Sequence, residues 1–476
     1  MLIANVALVF GLAFAVRGRI HDHEDYLVAG RRLGLPLASL TLFATWFGAG
    51  TLLVATDEIR HHGLRAAALD PIGAGACLLL AGAFLAAPLW RMRLLTLVDF
   101  FRVRFGPRAE TLGAILMVPG YFGWIAAQFV ALASLLELLF GLDLRIGLAL
   151  VAAVGTGYTL IGGMWSVVVT DAVQATLLVL GLATLAGACL LALGDGDASA
   201  GLSRLLAETP PERLVLVPRE TLQEALAWLG VLAAGALGNL PGQDLMQRVF
   251  SSRSAAVARR ACLVAGGAYW IVGIAPMGLG LAAAILAPDD DASMLAILAG
   301  LLLHPLAAAA FVTAVLAAVL STIDSALLAP AAVLAENLLG RRLPNVPRVR
   351  LDRACVLAVA AASLAIAHLG EDAWSLLESA YEVGLVSLLV PLVAGLASTR
   401  GDERAALAAM GVGTVAWLAH GLLGWAWFAE PLAFDVAGWP LPVGLSCAAS
   451  AAVAYVAAAR RTPRIAPLPD GGDPTS

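Results

Sequence analysis

Ser321, Thr322, Asp324 and Ser325 stand in one short run, Ala318-Val319-Leu320-Ser321-Thr322-Ile323-Asp324-Ser325, inside an apolar stretch from about 296 to 339. A carboxylate at the centre of a membrane span costs roughly 2.5–3.5 kcal/mol on insertion scales, so its presence asks for a chemical reason. On a helix, positions 318, 321, 322 and 325 share one face and Asp324 lies beside them. Carbonyl, hydroxyl and carboxylate oxygens in one stripe are hard ligands suited to a small cation. A plainer use of Ser321 and Thr322 is to return their protons to carbonyls one turn earlier, and of Asp324 to bond a neighbouring helix.

The elements that must position this stripe are membrane helices. Hydrophobic residues make up 61% of the 476, charged residues 13%, and mean hydropathy is +0.88, which excludes an ordinary soluble protein. Thirteen apolar runs are each read as a span: 2–16, 36–57, 67–90, 111–140, 146–165, 168–194, 222–247, 261–287, 296–337, 354–370, 374–397, 405–425 and 437–459. All 29 basic residues are Arg. With the N-terminus outside, only Arg60, Arg65, Arg145, Arg204, Arg213 and Arg219 fall on the outer face, together with the acidic run Asp289-Asp290-Asp291. The other arginines gather inside, which predicts a multi-pass protein of the cytoplasmic membrane with its C-terminus in the cytoplasm. The five cysteines show no metal or disulfide spacing. Nothing suggests an enzyme, a bound nucleic acid or an obligate protein partner, and of the stretches outside the spans only a loop at 195–221 and a disordered tail at 462–476 could be soluble.

Two spans carry breaks. Phe47-Gly48-Ala49-Gly50 interrupts the second, and Gly235-Ala236-Leu237-Gly238-Asn239-Leu240-Pro241-Gly242 interrupts the seventh. Small residues of this kind also serve simple helix packing. Two breaks five spans apart instead predict two inverted repeats with a binding site where the helices unwind.

Asp25 to Gly34 followed by Ala44-Thr45-Trp46-Phe47-Gly48-Ala49-Gly50-Thr51 resembles the opening of the sodium:solute symporter family. Thr96 to Phe101, Tyr158 to Gly163 with Thr170 to Gln174, Gln243 to Arg248, and Leu320 to Leu327 resemble later family segments, in family order, across about 17–400. The resemblance implies an all-α integral membrane protein of the leucine-transporter fold with about thirteen helices. Residues 1–35 would be an extra helix and inner loop, 36–397 a ten-helix core with repeats 36–194 and 222–397, and 398–461 two further helices. It also implies sodium-coupled symport of a small organic solute. Carried over by position, the sodium ligands are the carbonyls of Ala44, Phe47 and Ala318 and the hydroxyls of Ser321 and Thr322. Asp171, Asp324 and Ser325 map to a second cation or proton site found in some members, with Asp324 where those members have a hydroxyl; an N-terminal helix cap is the other use of Asp171. Solute contacts map to Trp46, Thr51, Gln128, Asn239 and Gln243. Leu237 and Gly238 replace the aromatic pair of sugar-transporting members, which argues against a sugar. Glu378 and Glu382, with Tyr381 nearby, are candidates for an outer vestibule favouring a cationic or zwitterionic solute, or for the interface. His304, His368 and His420 sit singly near span ends, where polar anchoring is expected. The rival readings are a proton-coupled symporter, a transporter-derived sensor working with a separate signalling partner, and a channel.

Overall fold

The computed structural model describes residues 2–287, 305–369, 381–434 and 438–460, and all the long elements in them are helices. The apolar runs become α1 (Leu2–Val16), α2 (Leu35–Trp46), α3 (Gly50–His62), α4 (Leu64–Arg91), α5 (Pro107–Phe140), α6 (Leu144–Leu193) and α7 (Leu222–Leu237). They continue as α8 (Gln243–Ser251), α9 (Ala255–Leu286), α10 (Phe311–Leu339), α11 (Arg348–Ala367), α12 (Tyr381–Ala397), α13 (Glu403–Leu423) and α14 (Val443–Ala459). Among the described residues α4, α5, α6, α9, α10 and α13 are each long and apolar enough to cross a bilayer, and α2 with α3 adds one bent span. The acidic run at 289–291, His304, Glu378 and the tail at 462–476 lie outside the described residues.

The two runs expected at 146–165 and 168–194 are two helices that follow one another without a loop in the 50 residues of α6. At 1.5 Å per residue it would measure about 75 Å, more than twice a hydrocarbon core of about 30 Å. Gly163 divides it, with φ 48° and ψ −143°. A side chain at that point would also stand 2.6 Å from the ring and the carbonyl oxygen of Tyr26. The loop expected at 195–221 contains an 11-residue helix, Ala198–Glu208, capped by Asp197, so it is more ordered than its composition suggests.

The helix bearing the hydroxyl stripe is the centre of the bundle. The apolar window of α10 is 89% buried, against 33% for α6. Helix α2 packs on α6, α9 and α10, which brings its broken end against the Ser321 turn.

Arginines fasten the charged ends of this bundle. Arg104 donates from Nε to Gly395 O at 3.0 Å and from its two terminal nitrogens to Gly401 O, Ser398 O and Arg400 O at 2.8–3.0 Å, closing the C-terminus of α12. A guanidinium can serve several carbonyls at once and adds positive charge where the helix dipole ends, which an ammonium does less well. The short helix His23–Val28 is held by charge as well: His23 Nε2 lies 3.0 Å from Glu336 Oε2 on α10 and Nδ1 lies 2.9 Å from Asp352 Oδ2 on α11. Burial alone would lower the imidazole's pKa, but hydrogen bonds and charge from the two carboxylates outweigh it and raise it to about 9.

Two outcomes follow. Because the folded imidazole titrates above its ordinary 6.5, the latch stabilises fully below that value and is lost as pH rises through about 9. Thermal unfolding of the wild type should therefore decline across that window, and His23→Ala should flatten that decline; equal slopes would show the latch to be inert. Gly163→Ala should cost about 2 kcal/mol or more through its left-handed backbone and the Tyr26 clash, read as a lower unfolding midpoint.

Candidate functional site

At the break between α2 and α3 the chain turns by 55°. The released backbone groups find partners on other helices. Ala49 N donates to Gln128 Oε1 of α5 at 3.0 Å, and the Ala44 carbonyl accepts from Ser321 Oγ at 2.9 Å. Ser321 Oγ is also 2.9 Å from Ala318 O, and Thr322 Oγ1 is 3.0 Å from the same carbonyl. A Cβ at Gly48 would collide with Thr322 Oγ1, so only glycine lets that hydroxyl reach the break. Among the described residues no hydrogen bond reaches the Phe47 carbonyl. The oxygens of Ala44, Ala318, Ser321 and Thr322 thus converge beside the turn at Phe47, with both hydroxyls also bonding back along their own helix.

Asp171, Asp324 and Ser325 are also brought together, with a fourth member. The side chain of Arg248 is 1% exposed; it donates to Ser325 Oγ, stands 3.8 Å from Asp171 Oδ2, and bonds Asp244 O at 2.8 Å. Ser325 Oγ lies 3.0 Å from Asp324 Oδ1, Thr170 Oγ1 lies 3.3 Å from Asp324 Oδ2, and Thr41 Oγ1 donates to Asp171 Oδ2 at 2.5 Å. Asp171 lies well inside the second half of α6 and caps nothing. Arg248, grouped by its sequence with the arginines of the inner face, is instead a buried guanidinium at the heart of this group. Its four-residue spacing from Asp244 on one helix was the available signal; its meeting with Asp171 and Ser325 depends on how three distant helices pack.

The solute candidates separate. Asn239, in the second break, lines a small cavity of about 40 Å³ together with Tyr121, Trp124, Gly242, Asp244 and Tyr381, room for a few waters. Trp46 reaches this cavity's wall through Asp244, to which its Nε1 donates at 2.5 Å. Thr51 faces away, bonding Asp70 Oδ2 at 2.8 Å and Tyr269 OH at 2.5 Å. Gln128 is committed to the Ala49 amide. Gln243 is fully buried and accepts from Leu97 N at 2.7 Å, behind α8 rather than at the cavity. Its neighbour Asp244, passed over in the sequence, supplies the carboxylate of the lining: Oδ1 accepts from Tyr121 OH at 2.6 Å. Glu382 lies in a separate cavity with Trp417, whose Nε1 it accepts at 2.7 Å, and with Trp425 and Trp427. His420 is buried between Ala416 O and Ala429 N, and His368 bonds Leu364 O.

Comparison with known proteins gives this arrangement a context. The chain is 30% identical over 332 residues to human high affinity choline transporter 1, covering 66% of this chain and 56% of that protein. It is 25% identical to the sodium/proline symporter of Staphylococcus aureus (75% and 72% covered) and 27% identical to the sodium/pantothenate symporter of Escherichia coli K12 (87% and 88% covered). The chain spans about half the length of the choline transporters it matches. These relatives are transporters, not enzymes. A sodium-coupled sialic acid symporter, solved in a substrate-bound outward-open state, superposes over 97% of both chains with a TM-score of 0.78 at 17% identity, which establishes the fold. The model of the sodium:solute symporter family matches residues 26–413. Matched from Tyr26 to Gly413, through both helix breaks and the hydroxyl face of α10, this chain belongs to the sodium:solute symporter family.

Proposed function

We propose that the protein carries a small, positively charged organic solute into the cell, driven by sodium, through alternating opening of the bundle to the two faces. The observation that carries the sodium part is the convergence of Ser321 Oγ and Thr322 Oγ1 on Ala318 O and, for Ser321, on Ala44 O across the helix break. The ion would take the Ala44, Phe47 and Ala318 carbonyls and the Ser321 and Thr322 hydroxyls, the Phe47 carbonyl being without another partner among the described residues. Family membership and the sodium-coupled relatives support that choice of ion.

A single sodium ion per cycle fits best. Arg248 already supplies the Asp171–Asp324–Ser325 group with a cation fixed to the chain. We read the ten helices of 36–397 as two inverted repeats, 36–194 and 222–397, within thirteen spans, N-terminus outside and C-terminus inside.

The charge of the solute follows from Asp244. It is a 4% exposed carboxylate at the start of α8, held by two neutral donors, Trp46 and Tyr121, and it faces a cavity rimmed by Tyr121, Trp124 and Tyr381. Aromatic side chains around one carboxylate suit a compact ammonium, by charge and by cation–π attraction, once the bundle opens the cavity beyond the few waters it admits in this conformation. Several relatives are choline transporters, which supports a solute of that class.

Two measurements test this reading. In sodium chloride against matched potassium chloride, the purified protein should unfold at a higher temperature, by a margin that follows a single-site binding curve and corresponds to about 2.7 kcal/mol at hundredfold excess over Kd. Ser321→Ala should remove the difference; identical unfolding in both salts would refute the sodium site. In sodium, choline should add a further shift, and Asp244→Asn should weaken it by about tenfold or more, the loss of one desolvated charge interaction. A variant that binds choline as tightly as the wild type would remove Asp244 from the solute site.

A further inference from the structure

Glu382 of α12 is a carboxylate that the transport reading does not use, and only one of its oxygens is engaged. Oε2 accepts from Trp417 Nε1 of α13 at 2.7 Å. Oε1 has no hydrogen-bond partner among the described residues and lies beside Gly444, where an added Cβ would stand 2.9 Å from it. Glu382 and Gly444 both line a cavity of about 560 Å³ where α7, α12, α13, α14 and the segment joining α13 to α14 meet. That volume is in the range of sites for small organic molecules, whereas the Asp244 cavity holds about 40 Å³.

The walls decide what fits. Three indoles, Trp417, Trp425 and Trp427, share the cavity with aliphatic side chains such as Val231 and Pro442. The chain has no lysine, and among the described residues no arginine lines the cavity and no basic group acts on Glu382. His420, also in the lining, is no counter-charge. The Ala429 amide can only donate, so at 2.8 Å His420 Nε2 accepts, and Nδ1, 2.6 Å from the Ala416 carbonyl, carries the ring's proton. That neutral imidazole ties the joining segment back to α13. Phe428 N donates to Leu441 O at 2.8 Å and Ala426 N to Glu430 Oε2 at 2.6 Å, so the segment's tryptophans sit on fixed backbone. One free carboxylate oxygen among indoles is a poor seat for a metal ion, which needs several oxygens. It suits an organic ammonium, drawn by charge and by cation–π attraction, for which tryptophan is the best partner.

We infer that the Glu382 cavity is a second binding site, for a compact organic ammonium, separate from the Asp244 cavity and independent of what that cavity holds. The two lie on adjoining residues: Tyr381 lines one and Glu382 the other. Their shared turn of α12 rests on the second helix break, since a Cβ at Gly238 would collide with the Tyr381 carbonyl and one at Gly384 with the Gly238 carbonyl. An occupant at Glu382 therefore bears on that break from outside the Asp244 cavity. Two sources supply such an ammonium, a free solute and a lipid headgroup; the exposed Leu418 and Leu422 in the lining would admit the second.

The test is equilibrium dialysis of radiolabelled tetramethylammonium against the protein carrying Asp244→Asn, purified in a sugar detergent, which sets the first cavity aside. Binding should persist in that variant. Adding Glu382→Gln should weaken it about tenfold or more, the loss of one desolvated charge interaction. Adding Trp425→Ala instead, which leaves the carboxylate in place, should weaken it about threefold or more, and covers the case in which the glutamine variant does not fold. No binding to the Asp244→Asn protein, or binding that stays as tight in either folded double variant, overturns the assignment. Competition names the source. Displacement of the probe by short-chain phosphatidylcholine but not by the matching phosphatidylglycerol assigns the site to a lipid headgroup, and displacement by neither assigns it to a free solute. Displacement by both would show that the cavity binds acyl chains, and would overturn the ammonium site. The transport reading fails by a different result, choline binding that Asp244→Asn leaves unchanged, so the two can fail separately.

Discussion

A helix that breaks inside a bilayer exposes backbone groups that water cannot serve, and the rest of this bundle is arranged around meeting that demand. At the α2–α3 break the Ala49 amide goes to Gln128, the Ala44 carbonyl to Ser321, and the Trp46 carbonyl to Tyr269 and to the Gly48 amide at 2.9 Å. Three helices, α5, α10 and α9, each contribute one polar side chain to the same turn. Left unmet, each group would cost several kcal/mol in hydrocarbon. The break is therefore held open by a specific set of partners, and a shift in any of those helices is felt at the turn.

The buried charges obey two different rules. Asp171 lies against the fixed guanidinium of Arg248 and Asp324 reaches it through Ser325, while hydroxyls of Thr41 and Thr170 take up part of the remaining hydrogen-bonding capacity. Such a group is costly to desolvate and gains little net stability, but it can join only one set of helices in one register. Asp244 is treated otherwise. It has neutral donors and the positive end of α8 and forms no ion pair among the described residues, which leaves its charge available to a ligand.

Much of this could be read from one sequence, for reasons that are local. Paired glycines at 47–50, and glycines with a proline at 235–242, weaken a helix locally, so both breaks were visible. The hydroxyl face of α10 follows from helical periodicity alone. Gln243 and Asp244 show the limit. Adjacent residues on a helix point about 100° apart, and which of them faces the cavity depends on how α8 lies against α5, which no local pattern encodes. Asp70 was invisible for another reason: an acid at the start of an apolar run reads as interfacial, and only the fold buries it against Tyr269. Arg248 was misplaced by a rule that sorts arginines by loop, which fails once a short helix of an interrupted span carries its arginine inward.

Trp46 joins these features. Its carbonyl accepts from Tyr269 of α9, and its indole nitrogen donates to Asp244 at the cavity wall. The backbone position of Trp46 is fixed by the break, one residue from Phe47 and two from Ala44, whose carbonyl accepts from Ser321 of α10. Motion of this one residue must therefore alter the geometry at the proposed sodium ligands, at the cavity carboxylate and at Tyr269 together, because a peptide unit is planar and stiff. Coupling between an ion and a solute needs an element with two arrangements whose balance both ligands bias. The break between α2 and α3 has the required contacts on every side, and Trp46 is where they meet.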